Sequence, residues 1–263
     1  MIQLAITGGF GRLGGSILNA AVAASDFDVV ASLVRAGDSR IGHPHAVDGR
    51  EVRVTDRLDG PCDVVIDSSS PGGMMTWLDV CERASIPFVT GVTGLDDSQR
   101  NRLVTASTSI PVLIAPNYSV GMRIVVKAAA ELAARLGEDF DIEIVEAHHK
   151  RKVDAPSGSA LAILDSILEA TGRDRGCCVH GRDGETGPRP KGEIGVHAVR
   201  MGGVVGQHEV HFGGEGEVVT LSHFVQSRDT FAHGALRAAR WIREQGPGLY
   251  SMDDVLGLSG SSS

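Results

Sequence analysis

Residues 146–159 read Glu-Ala-His-His-Lys-Arg-Lys-Val-Asp-Ala-Pro-Ser-Gly-Ser. Two adjacent imidazoles and three adjacent cations are expensive to bury without partners. The segment follows Phe140-Asp141-Ile142-Glu143-Ile144-Val145, which alternates like a strand, and runs into Pro156-Ser157-Gly158-Ser159, which reads as a turn opening a helix. Acids, cations and helix-end N–H groups are thus delivered to the end of one strand. That set suits a substrate that carries carboxylates and must gain a proton. Ser157 either caps its own helix or reaches a ligand. Glu146 either orients an imidazole or ends the strand. Lys150 and Arg151 read as solvated or interdomain contacts.

A second chemical end lies at the N-terminus. Gly8-Gly9-Phe10-Gly11-Arg12-Leu13-Gly14 follows the first apolar run and opens a helix. Glycines there let the backbone approach a pyrophosphate, and the helix start supplies N–H groups and partial positive charge. The end of the second strand decides between the two nicotinamide cofactors: a carboxylate suits the ribose 2′-hydroxyl, an arginine suits a 2′-phosphate. The chain has Leu33-Val34-Arg35 there, then Asp38 and Arg40. Val34 holds no diol, whereas Arg35, with Arg12 and Arg40 as further candidates, pairs with phosphate in the bidentate manner of guanidinium. The phosphorylated cofactor, NADPH, is therefore expected to be preferred; an inward Asp38 is the alternative.

The elements that must position these groups follow from the apolar pattern. Strands are expected at Ile2–Ile6, Phe27–Leu33, Cys62–Asp67, Pro87–Gly91 and Pro111–Ala115, with helices at Ser16–Ala24, Met74–Ala84 and Ser98–Ser107. Such strand–helix repeats predict a Rossmann-like, doubly wound parallel sheet. Its carboxyl edge would carry Asp67-Ser68-Ser69-Ser70, Gly91-Val92-Thr93-Gly94 and Ala115-Pro116-Asn117-Tyr118. After Asn117 the character changes. A helix is expected over Gly121–Leu136, the strand over 140–145, a helix over Ala160–Thr171 and a long loop over 172–192. Three strand-like runs follow at Ile194–Met201, Gln207–Phe212 and Glu217–Phe224, then a helix at Thr230–Glu244. Strands without helices between them predict a second α+β domain with an open mixed sheet. The boundaries read as 1–118 with 228–263 for the dinucleotide-binding domain and 119–227 for the substrate domain. Hinges fall near Asn117–Gly121 and Gln226–Asp229, because cofactor on one domain and acid on the other implies closure. The tail Ser259–Ser263 reads as disordered.

Composition narrows the class. A net charge of −8 argues against a nucleic-acid binder held by a basic field. No apolar run reaches the roughly 18 residues of a membrane span, and Met1 leads straight into an apparent strand instead of a signal peptide. The four cysteines, Cys62, Cys81, Cys177 and Cys178, show no metal spacing and read as reduced cytosolic thiols. No metal is expected. Another two-domain dehydrogenase, acting on an amino acid or a semialdehyde, is one alternative; a cofactor-sensing regulator without chemistry is another.

The chain resembles the 4-hydroxy-tetrahydrodipicolinate (dihydrodipicolinate) reductases of lysine and diaminopimelate biosynthesis over nearly its whole length. The resemblance rests on Gly8–Gly14, Gly91–Gly94, Asn117–Gly121, Ser227–Ala232 and above all Glu146–Ser159. It implies that His148 is a proton donor/acceptor and Lys152 a proton-donating, carboxylate-contacting lysine. It implies substrate contacts at His149, Gly158 and Ser159, and cofactor contacts at Gly8, Gly9, Phe10, Gly11, Arg12, Leu13, Gly91, Val92, Thr93, Ala115, Pro116, Asn117 and Tyr118. It also implies hydride transfer from NADPH or NADH to a small cyclic imine dicarboxylate, in a cytoplasmic homotetramer. One departure matters: many members carry an acidic residue where Val34 stands, which argues against efficient use of NADH.

Overall fold

The computed structural model describes residues 1–259. The expected disordered tail lies outside the described residues from position 260 on. The chain divides into two compact units, Met1–Ser119 with Arg228–Ser263, and Val120–Ser227.

In the first unit, chain order gives β1 (Ile2–Thr7), α1 (Arg12–Ala23), β2 (Phe27–Leu33), β3 (His45–Val47), β4 (Arg50–Val52), β5 (Val54–Thr55), β6 (Val64–Asp67), α2 (Pro71–Ala84), β7 (Phe88–Thr90), α3 (Asp97–Ala106) and β8 (Pro111–Ile114). The second unit supplies α4 (Val120–Leu136), β9 (Asp141–His148), α5 (Gly158–Thr171), β10 (Cys178–Val179), β11 (Ile194–Arg200), β12 (Gly206–Gly213) and β13 (Val218–Val225). The chain then adds α6 (Asp229–Ile242), β14 (Gly248–Tyr250) and α7 (Met252–Leu256) to the first unit.

The first unit is a seven-stranded parallel sheet of order β14-β8-β7-β6-β1-β2-β5. Its central strands are apolar on both faces because both are covered. Ala5, Val65, Phe88 and Val112 pack with Met74, Leu78 and Leu103 from α2 and α3. The alternate residues Leu4, Ile6, Val64, Ile66, Val89 and Leu113 are also buried; α1 and α6 pack together, and α6 lies against β6, β7 and β8. Strand order reverses between β1 and β6, the place where doubly wound sheets bind ligands.

The second unit is a five-stranded mixed sheet of order β10-β11-β9-β12-β13 with α4 and α5 packed together. Ile142, Ile144, Ile194, Val196, Val210 and Phe212 meet Met122, Val126 and Ala129 of α4 and Ala160, Ile163 and Ile167 of α5. No helix among the described residues is long and apolar enough to cross a membrane.

Several elements differ from the sequence reading. Helix α1 begins at Arg12 instead of Ser16, since the helical bond Gly15 N–H to Gly11 C=O (2.8 Å) closes inside the glycine-rich run. Strand β9 continues past Val145 to His148, paired there with Arg200. The expected loop 172–192 contains a two-residue strand, β10, against β11. The β3–β4 hairpin and the short β5, β14 and α7 are additional.

Candidate active site

The site in the second unit grows from a periodicity. Side chains alternate along a strand, so Ile142, Ile144, Glu146 and His148 share one face of β9. Register sets Ala198 and His208 beside Glu146, Arg200 beside His148 and His223 beside His208. The apolar stripe under α4 and α5 therefore ends in charge and imidazole.

Glu146 has no exposed surface. Its carboxylate accepts from Arg200 Nη1 at 2.8 Å and Nη2 at 2.7 Å. It also meets His148 Nδ1 at 2.6 Å and accepts the Ser157 N–H at 3.0 Å. Burial works to raise its pKa, but the bonds from Arg200 and His148 outweigh burial and hold the group below the usual carboxylate range. His148 is half-buried. Burial is the largest influence on its pKa and moves it below the ordinary histidine value against the opposing pull of Glu146. His208 is buried, 3.0 Å from Ser157 Oγ and edge-on to His148 with ring centroids 5.2 Å apart. Burial pushes its pKa down to about 4, so it is neutral near pH 7.

The turn after β9 places the cation. The Lys152 N–H donates to the His149 carbonyl at 3.0 Å, and Lys152 Nζ stands 2.9 Å from Asp154 Oδ2. Ser157 caps α5, accepting the Ala160 N–H at 3.2 Å. Gly158 and Ser159 are the first two residues of that helix, where N–H groups and the helix dipole favour anions. His149 is partly buried, with an Nδ1 that finds no protein partner. Lys150 and Arg151 are exposed. The structure thus brings His148, Lys152 and the α5 start into one stretch of chain, and adds Arg200 and His208, which the sequence reading missed. Their only signal was a polar residue ending the core-facing alternation of β11 and of β12.

The first unit holds the glycine-rich turn at the carboxyl end of β1. A Cβ built on Gly14 stands 2.2 Å from the Gly8 carbonyl oxygen, and one on Gly8 stands 2.6 Å from the Ser68 carbonyl oxygen. The N-cap of α1, Gly11, supplies no side-chain cap, and the first turn has no acidic residue. Its leading N–H groups therefore suit an anion from outside the chain. Phe10, Gly11 and Arg12 are exposed, Gly8 and Leu13 half-buried and Gly9 buried.

Buried Asp67 ties three strand ends together. It accepts from Thr7 Oγ1, from Ser69 Oγ at 2.6 Å and from Thr90 Oγ1 at 3.0 Å. Burial raises its pKa against those bonds. Gly91, Val92 and Thr93 follow Thr90, with the Val92 N–H donating to Thr90 Oγ1 at 3.2 Å. Ala115 donates to the Thr90 carbonyl at 2.9 Å. Pro116 is exposed, Asn117 Oδ1 accepts the Ser119 N–H at 2.8 Å, and Tyr118 is buried against Gly91. These residues fit a nicotinamide dinucleotide: uncapped N–H groups for the pyrophosphate and a pinned row of strand-end loops beyond them.

At the end of β2, Val34 is buried and Arg35 exposed. Arg40 binds Asp38 through Nε at 2.7 Å and Nη2 at 2.6 Å, and its guanidinium lies 4.0 Å over the Phe10 ring. The Phe10 ring in turn stacks on His45 at 4.0 Å.

The packing at Gly14 gives a first prediction. Gly14→Ala must push the turn off Gly8, and overpacking costs about 1–3 kcal/mol. Cofactor affinity should fall roughly 10- to 100-fold, read by fluorescence titration with NADPH. A dissociation constant within twofold of wild type would show that the turn does not hold the pyrophosphate.

Two family models match the chain: "Dihydrodipicolinate reductase, N-terminus" over residues 2–118 and "Dihydrodipicolinate reductase, C-terminus" over residues 121–256. The 4-hydroxy-tetrahydrodipicolinate reductase of Thiobacillus denitrificans is 42% identical, covering 98% of this chain and 99% of that protein. That of Myxococcus xanthus is 42% identical over the full length of both. Among solved structures, the dipicolinate-bound dihydrodipicolinate reductase from Paenisporosarcina sp. TG-14 superposes with a TM-score of 0.76 at 26% identity, covering 95% of this chain and 97% of that one.

Proposed function

The chain belongs to the dihydrodipicolinate reductase family, and from that premise we propose which of its residues carry the reaction. The activity is that of a pyridine-nucleotide-dependent oxidoreductase. It reduces the cyclic imine 4-hydroxy-tetrahydrodipicolinate to tetrahydrodipicolinate in lysine and diaminopimelate biosynthesis, the 4-hydroxyl leaving as water (which gives dihydrodipicolinate) and one hydride and one proton being added. The reading without chemistry, a cofactor-sensing regulator, falls with that assignment.

A bound NAD(P)H supplies the hydride. The glycine-rich turn and the start of α1, Gly8 to Leu13, would hold the pyrophosphate, and Gly91–Thr93 and Ala115–Tyr118 would line the nicotinamide end. On the second unit, Lys152 and the N–H groups of Gly158 and Ser159, with the Ser159 hydroxyl, take the substrate carboxylates; His149 contacts the substrate beside them. As hydride arrives, negative charge builds toward the ring nitrogen. His148 gives the proton there, and Lys152 serves as proton donor and carboxylate contact together. Two substrate carboxylates beside His148 raise its pKa toward the protonated, donating form. The observation that carries this reading is the imidazole–carboxylate pair of His148 and Glu146 at the end of the strand that leads to Lys152 and α5. Loss of absorbance from NADPH on addition of the cyclic imine tests it, with no oxidation as the result that would refute it.

We further infer that NADPH is preferred over NADH. Val34 offers no acceptor for a ribose diol. Asp38 is engaged with Arg40 and so is not available to that diol. Arg35 is the exposed guanidinium that remains at the end of β2. Losing one charge-assisted hydrogen bond of about 1.5–3 kcal/mol, Arg35→Ala should reduce the NADPH-to-NADH ratio of kcat/KM by roughly 10-fold or more. A ratio unchanged by the substitution, or a wild type that favours NADH, defeats the inference.

The chain is assigned to the cytoplasm, where its four free cysteines stay reduced. A homotetramer is supported by the second sheet. Helices α4 and α5 pack on the side of that sheet that carries Val219 and Leu221, while Val218 and Phe224 of β13 are 65% and 56% exposed. Val218 and Phe224 flank the hydroxyls of Thr220 and Ser222 on that strand face, and pairing with other copies would cover both apolar side chains.

A further inference from the structure

A carboxylate with no exposed surface needs a reason. Replacing a buried ion pair by well-packed apolar side chains is often neutral or stabilising, and the rows behind Glu146 on β9 are filled by Ile142 and Ile144. Stability alone therefore does not explain why the next core-facing position is Glu146. Its partners are more telling. Arg200 grips both carboxylate oxygens and also donates to the Asp154 carbonyl at 2.7 Å. Ser157, the cap of α5, donates its N–H to the same carboxylate. Glu146 thus joins β9, β11, the turn carrying Lys152 and the start of α5 at one point.

Its remaining contact is His148 Nδ1 at 2.6 Å. An ionised carboxylate only accepts, so Nδ1 must carry hydrogen. The two ring nitrogens are then distinct, and the opposite one is left for chemistry. A Cβ on Gly206 of β12 would lie 3.2 Å from Nε2, so the glycine there keeps that nitrogen clear of a side chain. The charged and titratable groups around His148 are Glu146 on its own strand, Arg200 on β11, His208 on β12 with His223 beyond it on β13, and Lys152 in the following turn. Glu146 is the anion that touches His148, while Asp154 pairs with Lys152 at 2.9 Å.

We propose that Glu146, clamped by Arg200, is a positioning residue for the reduction: it fixes His148 as the Nδ1–H tautomer and leaves Nε2 as the atom that hands the proton to substrate. This rests on His148 being the proton donor. It adds that a carboxylate and a guanidinium which touch neither substrate nor cofactor set the geometry and the proton affinity of that donor.

Nitrogen-15 NMR of the histidine-labelled full-length chain tests this without any substitution, with His148→Gln supplying the assignment. The expected result above the His148 titration is a protonated Nδ1 and a bare Nε2; the opposite tautomer overturns the proposal. Kinetics give a second reading. Removing the anion from Glu146→Gln makes imidazolium harder to form. The basic limb of kcat/KM, where protonated His148 is lost, should move to lower pH by about one unit, and kcat should fall about 10- to 100-fold. NADPH affinity should be unchanged, and Glu146→Asp should recover part of the rate. The double variant Glu146→Gln/Arg200→Met removes both charges together and serves if the single variant unfolds: kcat should fall likewise, and the basic limb should move in the same direction by less, because Arg200 opposes protonation of His148. A dead His148→Gln beside a Glu146→Gln with wild-type kcat and pH profile rejects only the positioning role. An active His148→Gln rejects the underlying assignment.

Discussion

His148→Gln should lose about 10²- to 10⁴-fold in kcat, the span typical of a positioned general acid. The substitution keeps a polar side chain of similar reach, so the half-buried strand end stays filled, and Gln can still donate to Glu146. It removes only the group that changes protonation state. The cofactor residues belong to the other unit, so the dissociation constant for NADPH should stay within about twofold. The KM for the imine should change little as well, because its carboxylates are assigned to Lys152 and the α5 start. A fall in kcat and kcat/KM by the same factor marks an interaction made only in the transition state. If steady-state turnover with NADPH stayed near wild type, the proton would have to come from elsewhere.

Much of the first unit was legible because parallel strands covered on both faces read as unbroken apolar runs. Phe27–Leu33 is such a run apart from exposed Asp28 and buried Ser32, and the structure gives it the bounds that its sequence predicts. Strands without that signature stayed invisible. Gly248–Tyr250 is three residues long and earns its place only by pairing with Pro111–Leu113 far away in the chain. The β3–β4 hairpin carries half-buried His45 and exposed Arg50 and Glu51, so it looks like loop. For Gly248–Tyr250 non-local pairing decided the conformation, and intrinsic preference said little; the hairpin is local, and its signal was the Asp48-Gly49 turn, with both residues at positive φ.

The site was legible in one dimension and hidden in the other. Along the chain, imidazole, ammonium and helix start are neighbours, so Glu146–Ser159 announced itself. Across the sheet, register brings Arg200 and His208 to Glu146 and His148, and register is fixed by packing under α4 and α5, which no local pattern encodes. That is also why Glu146 could not be assigned beforehand. Ending a strand and orienting an imidazole require the same residue at the same place; only the guanidinium arriving from β11 separates them. The polarity of Glu146 and His148 likewise made the strand seem to stop at Val145, although the period-two stripe Ile142, Ile144, Glu146, His148 runs on unbroken.

Lys152→Ala should be the second severe loss, and its pattern should differ from that of His148→Gln. In the structure the ammonium is paired, 2.9 Å from the Asp154 carboxylate. That pair is an anion-binding geometry filled by an exposed side chain: Asp154 is 56% exposed and Lys152 20%. A substrate carboxylate can take over such a partner at small cost, since exposed ion pairs contribute only about 0–1 kcal/mol. Removing the ammonium forfeits one charge-assisted hydrogen bond of about 1.5–3 kcal/mol, which appears as a roughly 10- to 100-fold rise in KM. The proton-donating role adds a fall in kcat of about 10²-fold or more. Lys152→Arg separates the two. Guanidinium keeps the charge and the carboxylate contact, but it does not give up a proton at working pH. Its KM should lie near wild type while kcat stays low. A Lys152→Arg enzyme with wild-type kcat would confine Lys152 to binding, and a Lys152→Ala enzyme with unchanged KM and kcat would remove it from the site altogether.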